Sequence, residues 1–397
     1  MMKSKLIFID PTLKSTIGHS FEYHQNVINC LTNEWGGFEV YCNKEFNTKF
    51  PKPVVTHPTI SHSPTEPFKN WRELALIRKL YSWLLQTPFE IRNSISKSSG
   101  CNDVIFFQHV EYFLLPSLIF GFFGQARHAV VMLRSSPEDP VWFKEKAKKI
   151  FYKMFLRVLR IQLGRRLQLV TDSKLLCQSF EQLLNQPVRL LPIPLHLNEP
   201  SQNRISSSGY TVSFLGRLDN DKGSSFIPEL VTTLSQKRNG CNFIIHNYAH
   251  PDHKSSLSSV VDELTALERE YPNVNLITSP VSSSEYSQTL ASTDLMFFLY
   301  DPQRYRLQTS GLLVDALSTG VYPVVSDATW LAGIVNDCGF GSTITMRDNI
   351  VEKAINAYDD FVKTQHPRKN HLQGKHGYKE FKQAFMDLVC SKSVITR

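Results

Sequence analysis

The chain has 397 residues, 42% of them hydrophobic, so it has enough apolar material for packed cores and is not an intrinsically disordered protein. Its seven cysteines are scattered singly without a C-x-x-C pair, which argues against a disulfide scaffold or a structural zinc site. The formal net charge of the chain is +8. Segment 142–168 has nine cationic residues and one acidic residue, so its net charge equals that of the whole chain. This distribution indicates one local basic patch rather than a nucleic-acid-binding surface.

Short apolar runs alternate with helical segments through the first half of the chain. The N-terminal run 6–9 is too short for a signal-peptide core and predicts a buried strand. Region 104–123 is apolar but holds polar side chains and Pro116, so we expect a strand, a loop and a buried helix there instead of a membrane span. The pattern predicts a parallel sheet covered on both faces. Strands are expected at 6–9, 38–42, 104–107, 129–133, 167–170 and 188–191, and helices at 21–33 and 173–184.

A proline-rich segment without apolar periodicity, 191–210, predicts a linker before a second alternation of the same kind. We therefore expect an α/β protein with two Rossmann-like parallel-sheet domains that face each other across an interdomain cleft, with ligands outside the carboxyl ends of the strands. The expected divisions are a first domain 1–195, a linker 196–210, a second domain 211–376 and a terminal helix 377–397 that packs back on the first domain. In the second domain, strands are expected at 211–215, 242–246, 274–277, 295–299 and 322–325, and helices at 226–237, 256–271, 284–291, 311–318 and 350–363. A last amphipathic helix, about 378–389, is expected to close the chain.

The loop FLGRLDNDKG, residues 214–223, is the first candidate site. Gly216 turns the chain after a predicted strand, and the cations Arg217 and Lys222 stand just ahead of the next helix. Two cations at the carboxyl end of a strand, beside a helix N-terminus, can bind a phosphate or a diphosphate. The alternative is an ordinary loop with two solvated cations.

The segment YRLQTSGLLVDALSTGVYPVVSD, residues 305–327, places a carboxylate in an apolar helix. Ser310 precedes that helix, and Gly311 and Leu312 lie in its first turn, where N–H groups can bind an anion. Asp315 lies one turn further and could bind both hydroxyls of a ribose. It could instead only complement the helix dipole.

Two further candidates lie in the first half of the chain. Gly18, in STIGHSFEY, follows the first predicted strand, where a glycine loop brings a Rossmann-like domain to its ligand. His109, in FFQHVEY, follows a middle strand and could hydrogen-bond a sugar or an acceptor hydroxyl, or serve only in packing.

The basic segment 142–168 has apolar residues at intervals of three and four, with cations between them. Such a helix could pack on its own domain and present its cations to anionic lipid headgroups. The alternative is a packed helix with a solvated basic face, and the concentration of charge favours the membrane-surface interpretation. We expect a cytoplasmic protein that is peripheral at the inner face of the membrane.

Taken in order, FLGRLDNDKG, TDLMFFLY and TSGLLVDALSTGVYPVVSD resemble the retaining GT-B glycosyltransferases, especially the family 4-like group, over nearly the whole chain. The resemblance implies that Arg217 and Lys222 hold the diphosphate of a nucleotide-sugar donor and that Asp315 holds its ribose. It implies that Gly18 approaches the transferred sugar and the diphosphate and that His109 faces the sugar. The first domain would be the acceptor side, and the second would bind the nucleotide sugar.

The chain departs from the family pattern in three ways. Family members usually have two glutamates eight positions apart, whereas here Asp315 stands at the second position and Leu307 at the first. No glutamate occurs between 301 and 320, and the G-x-P element is one residue longer. The first glutamate contacts the sugar in typical members, so its absence bears on sugar identity and on activity. Ser310 and Gly311 could supply backbone contacts in its place.

The expected function is the transfer of a sugar from a nucleotide-diphosphate donor to a glycan or lipid-linked acceptor, with retention and without a metal. No cofactor is expected, because the nucleotide sugar is a co-substrate, and no nucleic-acid partner is expected. A nucleotide-sugar epimerase or hydrolase of GT-B type, and a catalytically weak donor-binding relative, remain alternatives. The expected catalytic residues are Arg217, Lys222 and His109, and the expected donor-binding residues are Gly18, Gly216, Ser310, Gly311, Leu312 and Asp315.

Overall fold

The computed structural model describes residues 4–16, 19–50, 54–61, 81, 85–97, 100, 102–138, 145–195, 209–237, 240–247, 257–279, 281–364 and 368–390. The chain divides into two compact units, the first comprising Met1–Pro194 with His376–Arg397, and the second Leu195–Lys375. Most of the predicted linker, 196–208, lies outside the described residues.

The first unit is built on one sheet whose described strands all pair in parallel. The spatial order is β3-β2-β1-β4-β5-β6-β7, so the strand order reverses between β1 and β4. In an open parallel sheet, ligands bind outside the carboxyl ends of the strands at such a point. The strands are β1 Lys5–Asp10, β2 Gly37–Asn43, β3 Val55–Ile60, β4 Val104–Val110, β5 His128–Leu133, β6 Leu167–Thr171 and β7 Arg189–Leu190.

Helices cover this sheet, because its central strands are continuously apolar and must be buried on both faces. Helix α3 contacts both α2 and α4, and α4 contacts α5. The described helices of the first unit are α1 His19–Leu31, α2 Thr87–Lys97, α3 Leu115–Phe122, α4 Glu145–Leu163, α5 Lys174–Leu184 and, after those of the second unit, α13 Tyr378–Cys390.

The last helix, α13, completes the core of the first unit. Phe381 and Phe385 are fully buried, and the ring of Phe385 lies 5.5 Å from that of Phe106 on β4. The hydroxyl of Tyr378 donates a 2.9 Å hydrogen bond to Asn26 Oδ1 on α1. Helix α13 thus belongs to the same unit as β1.

The second unit repeats the architecture with a six-stranded parallel sheet in the order β10-β9-β8-β11-β12-β13. Its described strands are β8 Tyr210–Phe214, β9 Cys241–His246, β10 Val274–Ile277, β11 Leu295–Phe298, β12 Tyr322–Ser326 and β13 Ser342–Ile344. Its described helices are α6 Ile227–Lys237, α7 Ser258–Glu270, α8 Ser283–Ser292, α9 Pro302–Tyr305, α10 Gly311–Thr319, α11 Trp330–Cys338 and α12 Ile350–Thr364.

These two parallel sheets with flanking helices confirm the predicted fold class. Five elements are additional to the prediction: β3, β13, α2, the four-residue helix α9 and α11. Strand β3 has a polar sequence with Pro58 and lies at the sheet edge, where proline is tolerated, and β13 has three residues. Helix α11 contains Gly333, which weakens a sequence-based helix prediction.

Region 104–123 forms β4, a short 3₁₀ turn and the buried helix α3, as predicted. Among the described residues, no helix has both the length and the apolar character needed to cross a bilayer.

Candidate functional site

The loop after β8 brings Lys222 to the first turn of α10. Gly216 has a φ of +91°, which a residue with a side chain rarely adopts. A methyl group built on it would lie 3.7 Å from both Lys222 Nζ and Leu312 Cδ2. The predicted residues Gly216, Lys222 and Leu312 are therefore neighbours, at the carboxyl end of β8.

Two backbone contacts fix this loop to the chain that follows β11. Gly223 has a φ of +72°, and a side chain there would collide with the backbone oxygen of Leu299. The Asp301 N–H donates a 2.9 Å hydrogen bond to the carbonyl oxygen of Asp221. The position of Lys222 is thus set by backbone packing rather than by its flexible side chain alone.

Tyr300 links Lys222 to the start of α10. Its ring is buried, its centroid lies 5.9 Å from Lys222 Nζ, and its hydroxyl is hydrogen-bonded to the Ser310 side chain. Burial raises the pKa of Tyr300, so its hydroxyl stays neutral near pH 7. Tyr300 ends the TDLMFFLY motif, but its role does not follow from the sequence because a tyrosine after a strand is most often a packing residue.

Helix α10 begins with a side-chain cap that leaves backbone donors at its N-terminus. Ser310 is the N-cap, and its Oγ accepts a 3.3 Å hydrogen bond from the Leu313 N–H. The N–H groups of Gly311 and Leu312 belong to the same first turn and have no acceptor within the helix. These donors and the positive end of the helix dipole add to the charge of Lys222.

Asp315 lies one turn into α10 and is hydrogen-bonded to a tyrosine of the preceding helix. The Tyr286 hydroxyl, on α8, donates a 2.8 Å hydrogen bond to Asp315 Oδ2. The carboxylate is half-buried, so it remains accessible. The helix dipole acts mainly on groups in the terminal turns. Because Asp315 lies in mid-helix and is hydrogen-bonded to a hydroxyl group, an interaction with the dipole does not by itself account for this carboxylate.

Arg217 and its neighbours form a network of charges around the loop. Arg217 Nη2 lies 2.9 Å from Asp219 Oδ2, and Arg304 Nε of α9 lies 3.8 Å from Asp221 Oδ2. Both carboxylates of the local D-x-D sequence are thus paired with arginines. Asp219 and Arg304 were not predicted as site residues, and Arg304 carries no motif that would mark it in the sequence.

Burial lowers the pKa of Lys222, and the nearby positive charge of Arg217 acts in the same direction, while Asp219 opposes them. The half-buried ammonium group has lost part of its hydration, and the neighbouring cation repels it. Both effects disfavour the protonated form, and one carboxylate does not fully compensate for them. An anion that binds between these two cations would restore the favourable environment of the protonated form. The positive charges of the loop therefore favour the binding of an anionic ligand.

The carboxyl edge of the first unit carries a separate polar network between β1 and β4. Asp10 Oδ1 accepts hydrogen bonds from the N–H and the hydroxyl of Thr12, and Oδ2 accepts from Ser20 Oγ and from Gln108 Nε2. Burial alone would raise the pKa of Asp10, but His24 and the hydrogen bonds hold it below its usual value. This network fixes the start of α1 at the point where the strand order reverses.

The remaining predicted residues are placed as follows. His109 is half-buried on β4 in the first unit, with Nε2 3.3 Å from Glu111 Oε1. Gly18 lies outside the described residues. Leu307, at the position of the family's first glutamate, is buried, and so this position offers no polar group. The structure therefore brings together Gly216, Arg217, Lys222, Ser310, Gly311 and Leu312, with Asp315 one helical turn away.

Within the part of the chain that the structure describes, no group of three or more histidine, cysteine, aspartate or glutamate side chains is arranged to hold a metal ion.

No protein-family model matches the chain, and no curated protein matches it significantly. Solved structures do match over nearly its whole length. The N-terminal domain of Candida albicans trehalose-6-phosphate phosphatase is 12% identical with a TM-score of 0.67, covering 98% of both chains. Anabaena HepE, solved with UDP and glucose, is 14% identical with a TM-score of 0.64, covering 98% of this chain and 100% of that one.

A third similar structure is WaaG, a glycosyltransferase involved in lipopolysaccharide biosynthesis. It is 12% identical with a TM-score of 0.63, covering 97% of this chain and 99% of that one. These similarities establish that the chain has the fold of the GT-B glycosyltransferases.

Proposed function

We propose that the protein is a glycosyltransferase that takes a sugar from a nucleotide-diphosphate donor. The observation that carries the proposal is the meeting of Lys222, Gly216 and the N-terminus of α10 at the carboxyl end of β8. This arrangement combines a side-chain cation, helix N–H groups and a glycine that leaves room for a ligand. A diphosphate is the ligand class that such an arrangement fits.

The reaction breaks the bond between the anomeric carbon of the sugar and the diphosphate oxygen, so negative charge grows on the leaving oxygen. Lys222 and Arg217, together with the N–H groups of Gly311 and Leu312, would stabilise that charge more in the transition state than in the ground state. Asp315 would accept hydrogen bonds from the ribose of the nucleotide. In this proposal the side-chain cations neutralise the charge that a divalent metal would neutralise. Asp219 and Asp221 form ion pairs with Arg217 and Arg304 and are not metal ligands.

We further propose, from the family resemblance, that the sugar is transferred with retention to a glycan or lipid-linked acceptor and that no cofactor beyond the donor is used. His109, at the carboxyl edge of the first unit beside the Asp10 network, would contact the acceptor or the sugar. An anionic membrane surface is the proposed partner of the basic segment, and a peripheral position at the inner membrane face is the corresponding localisation. Exposed cations on α4 support this partner.

The first test is a thermal-shift screen of nucleoside diphosphates and their sugar conjugates, because a ligand of the native state raises the melting temperature. With the donor so found, turnover is measured as release of the nucleoside diphosphate. Arg217→Ala and Lys222→Ala are each expected to lower it by about 100- to 1,000-fold. Arg269→Ala, an exposed arginine of α7, is the matched control and should retain full turnover. Unchanged turnover in both site variants would refute the assignment.

A donor-binding relative with weak catalysis is the second candidate, and the buried Leu307 favours it. A site that lacks the sugar-contacting carboxylate could bind the nucleotide and transfer the sugar slowly. Leu307→Glu tests this candidate, with turnover and donor affinity measured together. A rise in turnover at constant folded fraction would support it, and a lack of turnover by the wild type across an acceptor panel, with donor binding intact, would replace the first proposal with it.

A further inference from the structure

Helix α4 has two apolar faces instead of one. The face that packs on the first unit buries Tyr152, Leu156, Leu159 and Leu163. A second set of apolar side chains is exposed to solvent: Ile150 at 67%, Met154 at 51%, Val158 at 37% and Ile161 at 77%. We call this second set the α4 stripe.

The α4 stripe is contiguous on the helix surface. Its spacing of four, four and three residues places all four side chains in a sector of about 80° around the helix axis. Single exposed apolar residues are ordinary, but the solvent face of a surface helix is normally polar. A continuous exposed apolar row therefore marks an interaction surface.

Exposed cations flank one side of the stripe. By helical geometry Lys146, Lys153 and Arg157 lie along the edge next to Ile150, and all three are exposed. Two more exposed arginines, Arg165 and Arg166, follow the end of the helix. The helix has one acid, Glu145, which forms an ion pair with Lys149 at 2.5 Å.

Aromatic side chains border the other side of the stripe. Phe151 and Phe155 are half-buried and stacked with their ring centroids 4.2 Å apart. On the neighbouring helix α3 the exposed fraction of Phe120 is 38%, and that of Phe123, just beyond its end, is 67%. Phe89 of α2, also exposed, has its ring 4.9 Å from Phe120. Exposed aromatic side chains thus also occur on α3, which packs against α4, and on α2, which packs against α3.

We propose that the α4 stripe inserts into the outer part of an anionic lipid bilayer, with the flanking lysines and arginines at the level of the headgroups. This inference rests on the proposed membrane partner and adds that the contact is hydrophobic as well as electrostatic. An apolar row with cations along its edge is the side-chain arrangement of a helix that lies in the plane of a membrane interface. A second copy of the same surface would oppose like charges, so charge complementarity favours a surface of anionic lipid.

The experiment is co-sedimentation of the whole chain with vesicles of phosphatidylcholine alone or with about 30% phosphatidylglycerol, at low and high salt, where surface charge is weakly or strongly screened. Wild type should bind only the anionic vesicles and keep part of its binding at high salt. The triple variant Ile150→Ser, Met154→Ser, Ile161→Ser should lose at least about tenfold in affinity at both salt concentrations. Leu175→Ser, an exposed apolar residue of α5, is the matched control and should bind like wild type.

A charge variant separates the electrostatic contact with the headgroups from the insertion of the apolar stripe. Arg157→Gln with Arg165→Gln and Arg166→Gln should lose binding mainly at low salt. If this variant loses binding but the serine triple variant binds like wild type, insertion is refuted and the electrostatic contact stands. If wild type ignores anionic vesicles, both are refuted, while nucleotide-dependent melting still reports on the donor site. A wild-type dimer that the serine triple variant abolishes would assign the stripe to a second copy and overturn the proposal.

Insertion itself has a direct readout in tryptophan fluorescence. The additional emission of Ile161→Trp should be quenched by lipids brominated on their acyl chains once anionic vesicles are added, because the indole would enter the acyl region. Leu175→Trp is the control and should show no such quenching. If the Ile161→Trp emission is not quenched while vesicle binding is intact, the stripe lies outside the bilayer and the proposal is refuted.

Discussion

The Tyr286 hydroxyl donates a 2.8 Å hydrogen bond to Asp315 Oδ2, and this bond joins α8 to α10 beside the Lys222 loop. A carboxylate that binds a ribose must be held in one orientation, and a buried or half-buried hydrogen bond from a rigid tyrosine does that. Tyr286 is therefore a positioning residue for Asp315 in the proposed donor site.

Tyr286→Phe should weaken binding of the nucleoside diphosphate by about three- to tenfold and leave inorganic pyrophosphate binding unchanged. The reason is that a hydrogen bond to a charged group contributes about 1.5–3 kcal/mol, of which orientation of the carboxylate uses a part. Calorimetric titration of wild type and variant with the nucleoside diphosphate and with pyrophosphate measures both affinities. Tyr271→Phe removes a hydroxyl that accepts from Gln236, away from the site, and should change neither affinity.

Asp315→Asn tests the ribose contact itself. We expect a loss of about 10- to 100-fold in nucleoside diphosphate affinity, because an amide presents one acceptor where the carboxylate presents two. Pyrophosphate should bind as well as before or better, since a negative charge has been removed. Asp360→Asn, an exposed acid of α12, is the control. Equal loss of both ligands would mean that Asp315 serves the fold and not the ribose.

Lys222→Met should abolish most turnover and yet raise the melting temperature of the ligand-free protein at pH 7. The pKa of Lys222 is lower in the folded state than in the unfolded chain, so its protonated form disfavours folding. This unfavourable contribution is fully present below the folded-state pKa and disappears as the pH rises through the unfolded value of about 10.5. The difference in melting temperature between variant and wild type should therefore shrink between pH 7 and about pH 10.5. A lower melting temperature for the variant at pH 7 would contradict this account.

Ser310→Ala should affect both stability and ligand binding. Loss of the N-cap costs about 1 kcal/mol in the free energy of unfolding, and the freed first turn of α10 should bind pyrophosphate less well. Ser173→Ala removes an N-cap with the same 3.3 Å bond, on α5 of the first unit. It should cost similar stability without any change in pyrophosphate affinity. Urea unfolding and calorimetry on the two variants separate the two effects, and equal affinities would contradict a ligand role for the α10 terminus.

Much of the fold follows from the sequence because its strands are continuously apolar and its helices are periodic. Strand β10 has the predicted bounds, 274–277, and α10 extends one residue beyond those predicted for it. The elements that sequence patterns missed were decided by tertiary context. Strand β3, with its polar sequence, exists because β2 offers it a pairing edge, and no local periodicity reports that.

The candidate site shows the same division between local and tertiary information. Gly216, Lys222 and Ser310 lie in local motifs, at a loop and at a helix start, where residue type and position are enough to predict an anion site. Tyr286 comes from a different helix, and its contact with Asp315 depends on how α8 and α10 pack. The α4 stripe is a further case, because the sequence showed amphipathic spacing but not which apolar residues would remain exposed.

The return of α13 to the first unit has a consequence for biosynthesis. A ribosome releases the whole of the second unit, 195–375, before it releases Phe381 and Phe385. The second unit can therefore finish folding while the first still has an open hydrophobic core that the last helix must fill. A released chain truncated before residue 378 should carry a protease-resistant second unit and a protease-sensitive first one.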